Sequence, residues 1–219
     1  MKNKQKKPKI LIFDVETAPI AGYVWSLWQQ NVGLNQILSD WYILSWSAKW
    51  LGEPASKIMH MNQGEAKDIE DDSKILKELW KLLNEADVVV TQNGKHFDEK
   101  RLNARFIIHG IRPPAPYKHI DTCQIAKHKF GFTSSKLEYL SGKLCKKYKK
   151  YPHNKYPGFA LWAACLGGDP DVWEEMRKYN NFDVLATEEL YTILKPWDSS
   201  VNLAVYQDNR KPVRAVGLT

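Results

Sequence analysis

Cysteine is scarce in this chain: Cys123, Cys145 and Cys165 are the only three, they form no CxxC pair, and their number is odd. That pattern excludes a disulfide framework or a zinc knuckle as the organising device and leaves three reduced, buried, small apolar residues as the expectation. The chain also lacks any apolar run approaching the ~20 residues that span a bilayer, and it begins with a lysine cluster that has no apolar signal core. A cytoplasmic location without a membrane partner is expected. No internal repeat or low-complexity tract interrupts the chain, which argues against a solenoid or an array.

Against these absences stand 219 residues with 43% hydrophobic and 26% charged content, enough for one sizeable core. The formal net charge of +7 favours an anionic partner, with nucleic acid ahead of a membrane surface. Nine tryptophans and ten tyrosines are available to stack on bases or to fill a core.

The most informative stretch is Ile10-Leu11-Ile12-Phe13-Asp14-Val15-Glu16-Thr17. Four consecutive apolar residues read as a strand buried on both faces. Side chains alternate along a strand, so Asp14 and Glu16 project to the same side where the run ends. Two carboxylates beside a core repel one another and lose solvation, a conflict that a cation removes. Read alone, the pair is more simply a strand end whose acids splay into solvent, as surface acids usually do.

Before this strand, Lys2, Lys4, Lys6, Lys7 and Lys9 form a basic arm over residues 1 to 9. After it, Pro19 forces the chain out of the sheet, and Tyr23, Trp25 and Trp28 either wall a site beside the acids or pack on the sheet. Residues 41 to 50 read as a second strand and Lys57 to Met61 as a third, making an antiparallel meander. Helical spacing runs from Asp68 to Ala86, with Asp68, Glu70, Asp71 and Asp72 in its first turns, where the helix dipole favours acids. Residues 87 to 91 form another buried strand, followed by a helix from about Phe97 with Leu102, Phe106 and Ile107 inward. Asp98 in its first turn lies near the carboxyl end of the preceding strand, where ligands gather in open α/β sheets.

Residues 119 to 122 read as a short strand, with Asp121 capping the helix beyond it. Helical spacing returns at Leu137, Leu140 and Leu144. The most basic internal stretch follows, where lysines from Lys143 to Lys155 alternate with Tyr148, Tyr151, His153 and Tyr156. Cations interleaved with rings suit a single-stranded nucleic acid, and a solvated loop is the plainer alternative. A long helix from Asp171 to about Leu194 places Tyr179 and Asp183 on one face, four residues apart.

The order of elements resembles the ribonuclease H-like fold, an α/β architecture with a mixed five-stranded sheet flanked by helices. Three motifs in order resemble the DEDD superfamily of 3′-5′ exonucleases: Asp14-Val15-Glu16 followed by Thr17, Asn93-Gly94-Lys95-His96-Phe97-Asp98, and Tyr179 to Asp183. Lys178 stands where the histidine branch has His, so the chain resembles the tyrosine branch, and most closely the exonuclease group of family B DNA polymerases. The resemblance covers about residues 8 to 197.

It implies a metal-dependent 3′-5′ exonuclease that acts on DNA, single-stranded for preference and ahead of RNA, releasing nucleoside 5′-monophosphates. Two Mg²⁺ or Mn²⁺ ions are implied, one held by Asp14, Glu16 and Asp183, the other by Asp14 and Asp98. Tyr179 would orient the attacking water. Thr17, Asn93 and Phe97 are expected at the terminal nucleotide, and Lys146, Lys147 and Tyr148 along the strand. The implied organisation is a basic arm over 1–9, an exonuclease domain over 10–197 and a tail over 198–219, with a replication or repair complex as a partner. Two alternatives remain: a ribonuclease or structure-selective endonuclease on the same fold, and a non-catalytic nucleic-acid binding or assembly factor.

Overall fold

The computed structural model describes residues 7–152 and 154–198. Most of the N-terminal basic arm, His153 and the tail from residue 199 lie outside the described residues, and so do residues 201–206, whose composition would suit an edge strand, and the basic residues Arg210, Lys211 and Arg214.

The first strand, β1 (Ile10–Thr17), sits at the centre of a five-stranded sheet. Its apolar residues are all buried, as the run of aliphatics requires of a strand covered on both faces. A short ribbon of β2 (Ala21–Gly22) and β3 (Ile37–Ser39) follows as a separate two-stranded sheet. The long β4 (Ile43–Trp50) then pairs antiparallel with β1, and β5 (Met59–Asn62) pairs antiparallel with β4. Helix α1 (Ser73–Glu85) crosses to β6 (Val88–Thr91), which lies parallel to β1 on its other side. Helix α2 (Asp98–Ile108) leads to β7 (Lys118–Asp121), parallel to β6. Helices α3 (Thr122–Lys129), α4 (Leu137–Leu144), α5 (Ala160–Leu166) and α6 (Val172–Leu194) follow. The sheet order is β5-β4-β1-β6-β7, which is the mixed five-stranded α/β architecture of the ribonuclease H-like fold.

Alternation along β1 divides the core into two layers. Leu11, Phe13 and Val15 face α1 and α2, where they meet Ile75, Leu79, Leu102 and Phe106. Ile10 and Ile12 face the other layer, where Ile125, Leu140, Val184 and Leu190 come from α3, α4 and α6. Asp14 and Glu16 continue this second row, so the strand aims both acids at the layer that α6 occupies. Polar contacts fix α6 to β4: Lys49 Nζ, fully buried, pairs with Glu188 at 2.8 Å, and Ser47 Oγ donates to Asn181 Oδ1 at 2.7 Å.

Four expectations are corrected. The helix expected from Asp68 begins at Ser73, so Asp68, Glu70, Asp71 and Asp72 precede its first turn. Asp72 is drawn inward instead. Its carboxylate accepts from Ile43 N at 2.8 Å and from Arg105 Nε and Nη2 at 2.8 Å each, with His109 Nε2 at 2.7 Å. The aromatic segment after β1 carries the β2–β3 ribbon, which short, uncharged segments without alternation do not announce. The third strand of the meander starts at Met59, because Ala55–Lys57 close a 3-10 turn after Pro54. Finally, Ile107 is 78% exposed, while Leu102 and Phe106 of the same helix are buried. It lies outside the arc of α2 that meets the sheet. All three cysteines are free and buried.

Candidate active site

At the carboxyl end of β1 the chain opens a cleft of about 790 Å³, within the ~300–1,000 Å³ typical of ligand sites. Asp14, Glu16, Asp98, Tyr179 and Asp183 all line it. Each arrives on a different local device. Asp14 and Glu16 come from the alternating row of β1, and the register with β4 shifts directly after them, between Glu16 and Thr17. Tyr179 and Asp183 come from one face of α6, the helix packed on that row. Asp98 comes from the first turn of α2, and its Oδ1 accepts from Val15 N at 3.0 Å, tying the helix to the strand between the two acids.

The turn before α2 explains how Asp98 is delivered. Asn93 adopts φ 67°, and its backbone N donates to Asp121 Oδ1 at 2.9 Å while Lys95 N donates to Asp121 Oδ2 at 3.2 Å. Asp121 also caps α3 through Cys123 N and Gln124 N, as expected of an aspartate before a helix. One carboxylate therefore closes two chain ends. Gly94 lies against Thr91, where a Cβ would meet Oγ1 at 2.3 Å, so glycine is required for this close approach.

Asp14, Glu16 and Asp183 each offer a carboxylate oxygen within 4.8 Å of the other two. Burial, followed by the charges of Asp98, Glu16 and Asp183, holds the Asp14 carboxyl well above its usual range. Burial and the Asp183 charge push Glu16 up to about 8, against an opposing pull from Lys150. Asp98 is pushed up to about 7 by burial, despite the Val15 hydrogen bond that favours its charged form. Acids this close favour holding protons, or a cation in their place. Hard oxygen donors of this type fit Mg²⁺ or Mn²⁺ and do not select a thiolate-loving metal.

Two residues of the site are not assigned to it from the sequence, Lys150 reading as one lysine of the basic stretch and Asn180 only as part of the segment from Tyr179 to Asp183. Lys150 reaches into the cleft, where Nζ donates to Asp183 Oδ2 at 2.6 Å and lies 4.3 Å from the centre of the Tyr179 ring. Burial opposes its charge, but Asp183 outweighs that and raises the lysine pKa. Burial and the neighbouring charges of Glu16 and Asp183 also raise the Tyr179 phenol, which stays protonated at neutral pH. Asn180 Nδ2 donates to Asp14 Oδ2 at 2.7 Å and to Asp14 O at 3.3 Å, fixing the strand acid from α6. The signal for Asn180 was present in Tyr179-Asn180-Asn181-Phe182-Asp183, because a polar residue between two core-facing positions has to find a partner.

The expected substrate residues divide. Asn93 and Phe97 line the cleft, together with Phe130, Phe132, Ser134, Ser135 and Lys136 from the α3–α4 connection. Thr17 does not line it and pairs with Ile43 beyond the register shift. Lys146, Lys147 and Tyr148 also lie off the cleft. Their backbone N–H groups all donate to the Glu189 carboxylate, and the Tyr148 ring meets Phe182 edge-on. Among the described residues of that basic stretch only Lys150 enters the cleft. Tyr23, Trp25 and Trp28 neither line the cleft nor pack on the sheet, being 69%, 94% and 83% exposed.

Among the described residues no helix is long and apolar enough to cross a membrane. Comparison with solved structures finds the family B DNA polymerase of the hyperthermophilic archaeon Pyrobaculum calidifontis, with a TM-score of 0.62 and 16% sequence identity. The likeness covers 91% of this chain and 27% of the polymerase, so the chain spans about a quarter of that protein's length, and at this identity it speaks for the fold. No curated protein matches. A family model of the RNase H superfamily, RNase_H_2, matches residues 51–195, a span that includes Asp98, Tyr179 and Asp183 and starts after Asp14 and Glu16. With its sheet order, its acids gathered at the end of the central strand and that match over most of its length, this chain belongs to the RNase H superfamily.

Proposed function

We propose that the protein is a divalent-metal-dependent 3′-5′ exonuclease of the tyrosine branch of the DEDD superfamily, acting on the 3′ end of single-stranded DNA. The observation that carries this reading is the set of three carboxylates within 4.8 Å of one another, with Asp98 and Tyr179 on the same cleft. Superfamily membership supports a nucleic acid as the substrate, and the net charge of +7 agrees with a polyanion.

Asp14, Glu16, Asp98 and Asp183 would hold two Mg²⁺ or Mn²⁺ ions. When bound, such ions neutralise the acids and stabilise the charge that develops at phosphorus and on the leaving oxygen. The residues of the chain then have separate tasks. Asn180 and the Val15 amide keep Asp14 and Asp98 in fixed positions. Tyr179, protonated at neutral pH, acts as a hydrogen-bonding group that orients the attacking water and is not its base. The water oxygen bonds to phosphorus and gives up one proton, the bond from phosphorus to the 3′ oxygen breaks, and that oxygen takes up one proton, so the hydrolysis balances. A nucleoside 5′-monophosphate and a strand shorter by one residue are the products. Phe97, 37% exposed at the cleft wall, offers its ring to the terminal base.

Asp14→Ala and Asp183→Ala should each abolish cleavage while leaving strand binding largely intact. Cleavage that survives either change would overturn the mechanism. Internal cuts in place of end shortening would make the protein an endonuclease, and preference for RNA would make it a ribonuclease. Binding without cleavage in Mg²⁺ or Mn²⁺ would leave only a binding role.

A further inference from the structure

Beyond the acids, one cation beside the cleft is built into position without an anionic partner. Arg101 sits one helical turn beyond Phe97 on α2, and its guanidinium lies between two rings, 4.1 Å from the centre of Trp41 and 5.5 Å from that of Phe97. Among the described residues its side chain makes no hydrogen bond or ion pair. The contrast with its helix neighbour Arg105 is direct, since Arg105 places both Nε and Nη2 on the buried Asp72 carboxylate. A guanidinium carries five donors in a fixed plane. Contact with two rings restrains that group, and no protein anion takes up its donors among the described residues.

Place in the fold indicates which anion these donors meet. Phe97 lines the cleft, and Asp98 follows it in the first turn of α2. Residues three and four apart on a helix lie side by side, so Arg101 flanks both the ring offered to the terminal base and the acid. A strand whose last phosphodiester lies at the acids must leave the cleft past one of its walls. Past Phe97, just outside the lining of the cleft, it meets the Arg101 guanidinium and the half-buried ring of Trp41. Alternating rings and cations are the physical requirement for holding single-stranded nucleic acid, with bases on rings and phosphates on cations.

We propose that Arg101, held between Trp41 and Phe97, binds the phosphodiester next to the scissile one on its 5′ side, and that Trp41 carries the adjoining base. This inference rests on reading the cleft as the nuclease site for a 3′ end. It assigns substrate contacts to a face of α2 and to the entry of β4, and sets the smallest well-bound substrate at more than two nucleotides.

The test measures equilibrium binding of a fluorescent oligothymidylate in Ca²⁺ as a function of salt, for the wild type, Arg101→Ala, Arg101→Lys and Trp41→Ala, with circular dichroism as the check on folding. Arg101→Ala should weaken binding about tenfold or more, as loss of a charge-assisted contact does, and should reduce the slope of log affinity against log salt by about 0.7. Arg101→Lys should keep the salt slope and recover part of the affinity. Trp41→Ala should weaken binding and leave the slope in place. Replacing single phosphodiesters by neutral methylphosphonates then locates the contact: at the second linkage from the 3′ end, the wild type and Arg101→Ala should bind alike. Unchanged affinity and slope in Arg101→Ala, or a penalty independent of where the neutral linkage lies, would overturn the assignment. Because binding is read without cleavage, a protein that binds in this way and cuts nothing would refute the exonuclease reading and retain the Arg101 contact.

Discussion

The side-chain amide of Asn180 donates to Asp14 Oδ2 at 2.7 Å, so the helix that supplies Asp183 also holds the carboxylate of the central strand. One turn of α6 therefore sets the distance between two acids that belong to segments 169 residues apart (183 − 14). Asn180→Ala leaves the acids in place and removes this constraint. A hydrogen bond to a charged group contributes about 1.5–3 kcal/mol, so a loss of about 10- to 100-fold in kcat is expected, with strand affinity nearly unchanged. Steady-state kinetics together with binding in Ca²⁺ check this.

Asp72 makes a different demand on the fold. Its fully buried carboxylate joins the start of β4 through Ile43 N to Arg105 and His109 of the α2 region, far from any role in chemistry. Asp72→Ala strands Arg105 and an unpaired backbone N–H, and should cost about 3–5 kcal/mol of unfolding free energy. Denaturant titration reads this directly. The same substitution in a protein that remains folded should leave the metal dependence of cleavage unaltered.

Stability should fall with rising pH in the absence of divalent cations. Folded Glu16 holds its proton up to about 8 and Asp98 to about 7, whereas the unfolded chain releases both near 4. Between those limits the folded state carries more protons than the unfolded state, so this stabilising contribution, complete below pH ~4, is lost as pH rises to 8. His60 works in the opposite sense over a lower window. Its buried ring is held down at about 4, so its contribution is present above 6.5 and is lost as pH falls toward 4. Comparison with Glu16→Gln isolates the acid. In EDTA the two proteins should melt at similar temperatures at pH 5, and the variant should melt several degrees higher at pH 8.5. Saturating Mg²⁺ should reverse the order at pH 8.5.

Lys150 competes with cations for Asp183, since its Nζ lies 2.6 Å from Oδ2. Lys150→Met should lower the melting temperature in EDTA, because Asp183 loses its counter-charge. It should also move the midpoint of Mn²⁺ stabilisation to about tenfold lower concentration, a change of ~1.4 kcal/mol. Thermal melts across a Mn²⁺ series measure both effects.

What the sequence revealed of this molecule was local and periodic. The apolar runs at 10–13 and 88–90 announced two buried strands, and alternation through Val15 put Asp14 and Glu16 on one side. Spacing by four put Tyr179 and Asp183 on one helix face. The residues that went unread answer to partners distant in the chain. Asp72 precedes a helix and has the look of an ordinary helix-entry acid until Arg105 packs beside it. Lys150 was one lysine among several, and its selection depends on Glu189, whose carboxylate anchors the backbone of Lys146, Lys147 and Tyr148 and so steers the chain into the cleft. The β2–β3 ribbon has strands too short to show a period. Sequence spacing encodes which face a residue occupies, whereas the identity of what lies opposite is set only by the assembled sheet.

The most direct measurement uses single-stranded DNA labelled at its 5′ end, incubated with the wild type and with Asp14→Ala in Mg²⁺, Mn²⁺ and EDTA. A ladder of products shortened one nucleotide at a time from the 3′ end is expected with the wild type in either cation, and no ladder in EDTA or with Asp14→Ala. A ladder that persists with Asp14→Ala, or an undegraded strand in every condition with the wild type, would contradict this expectation.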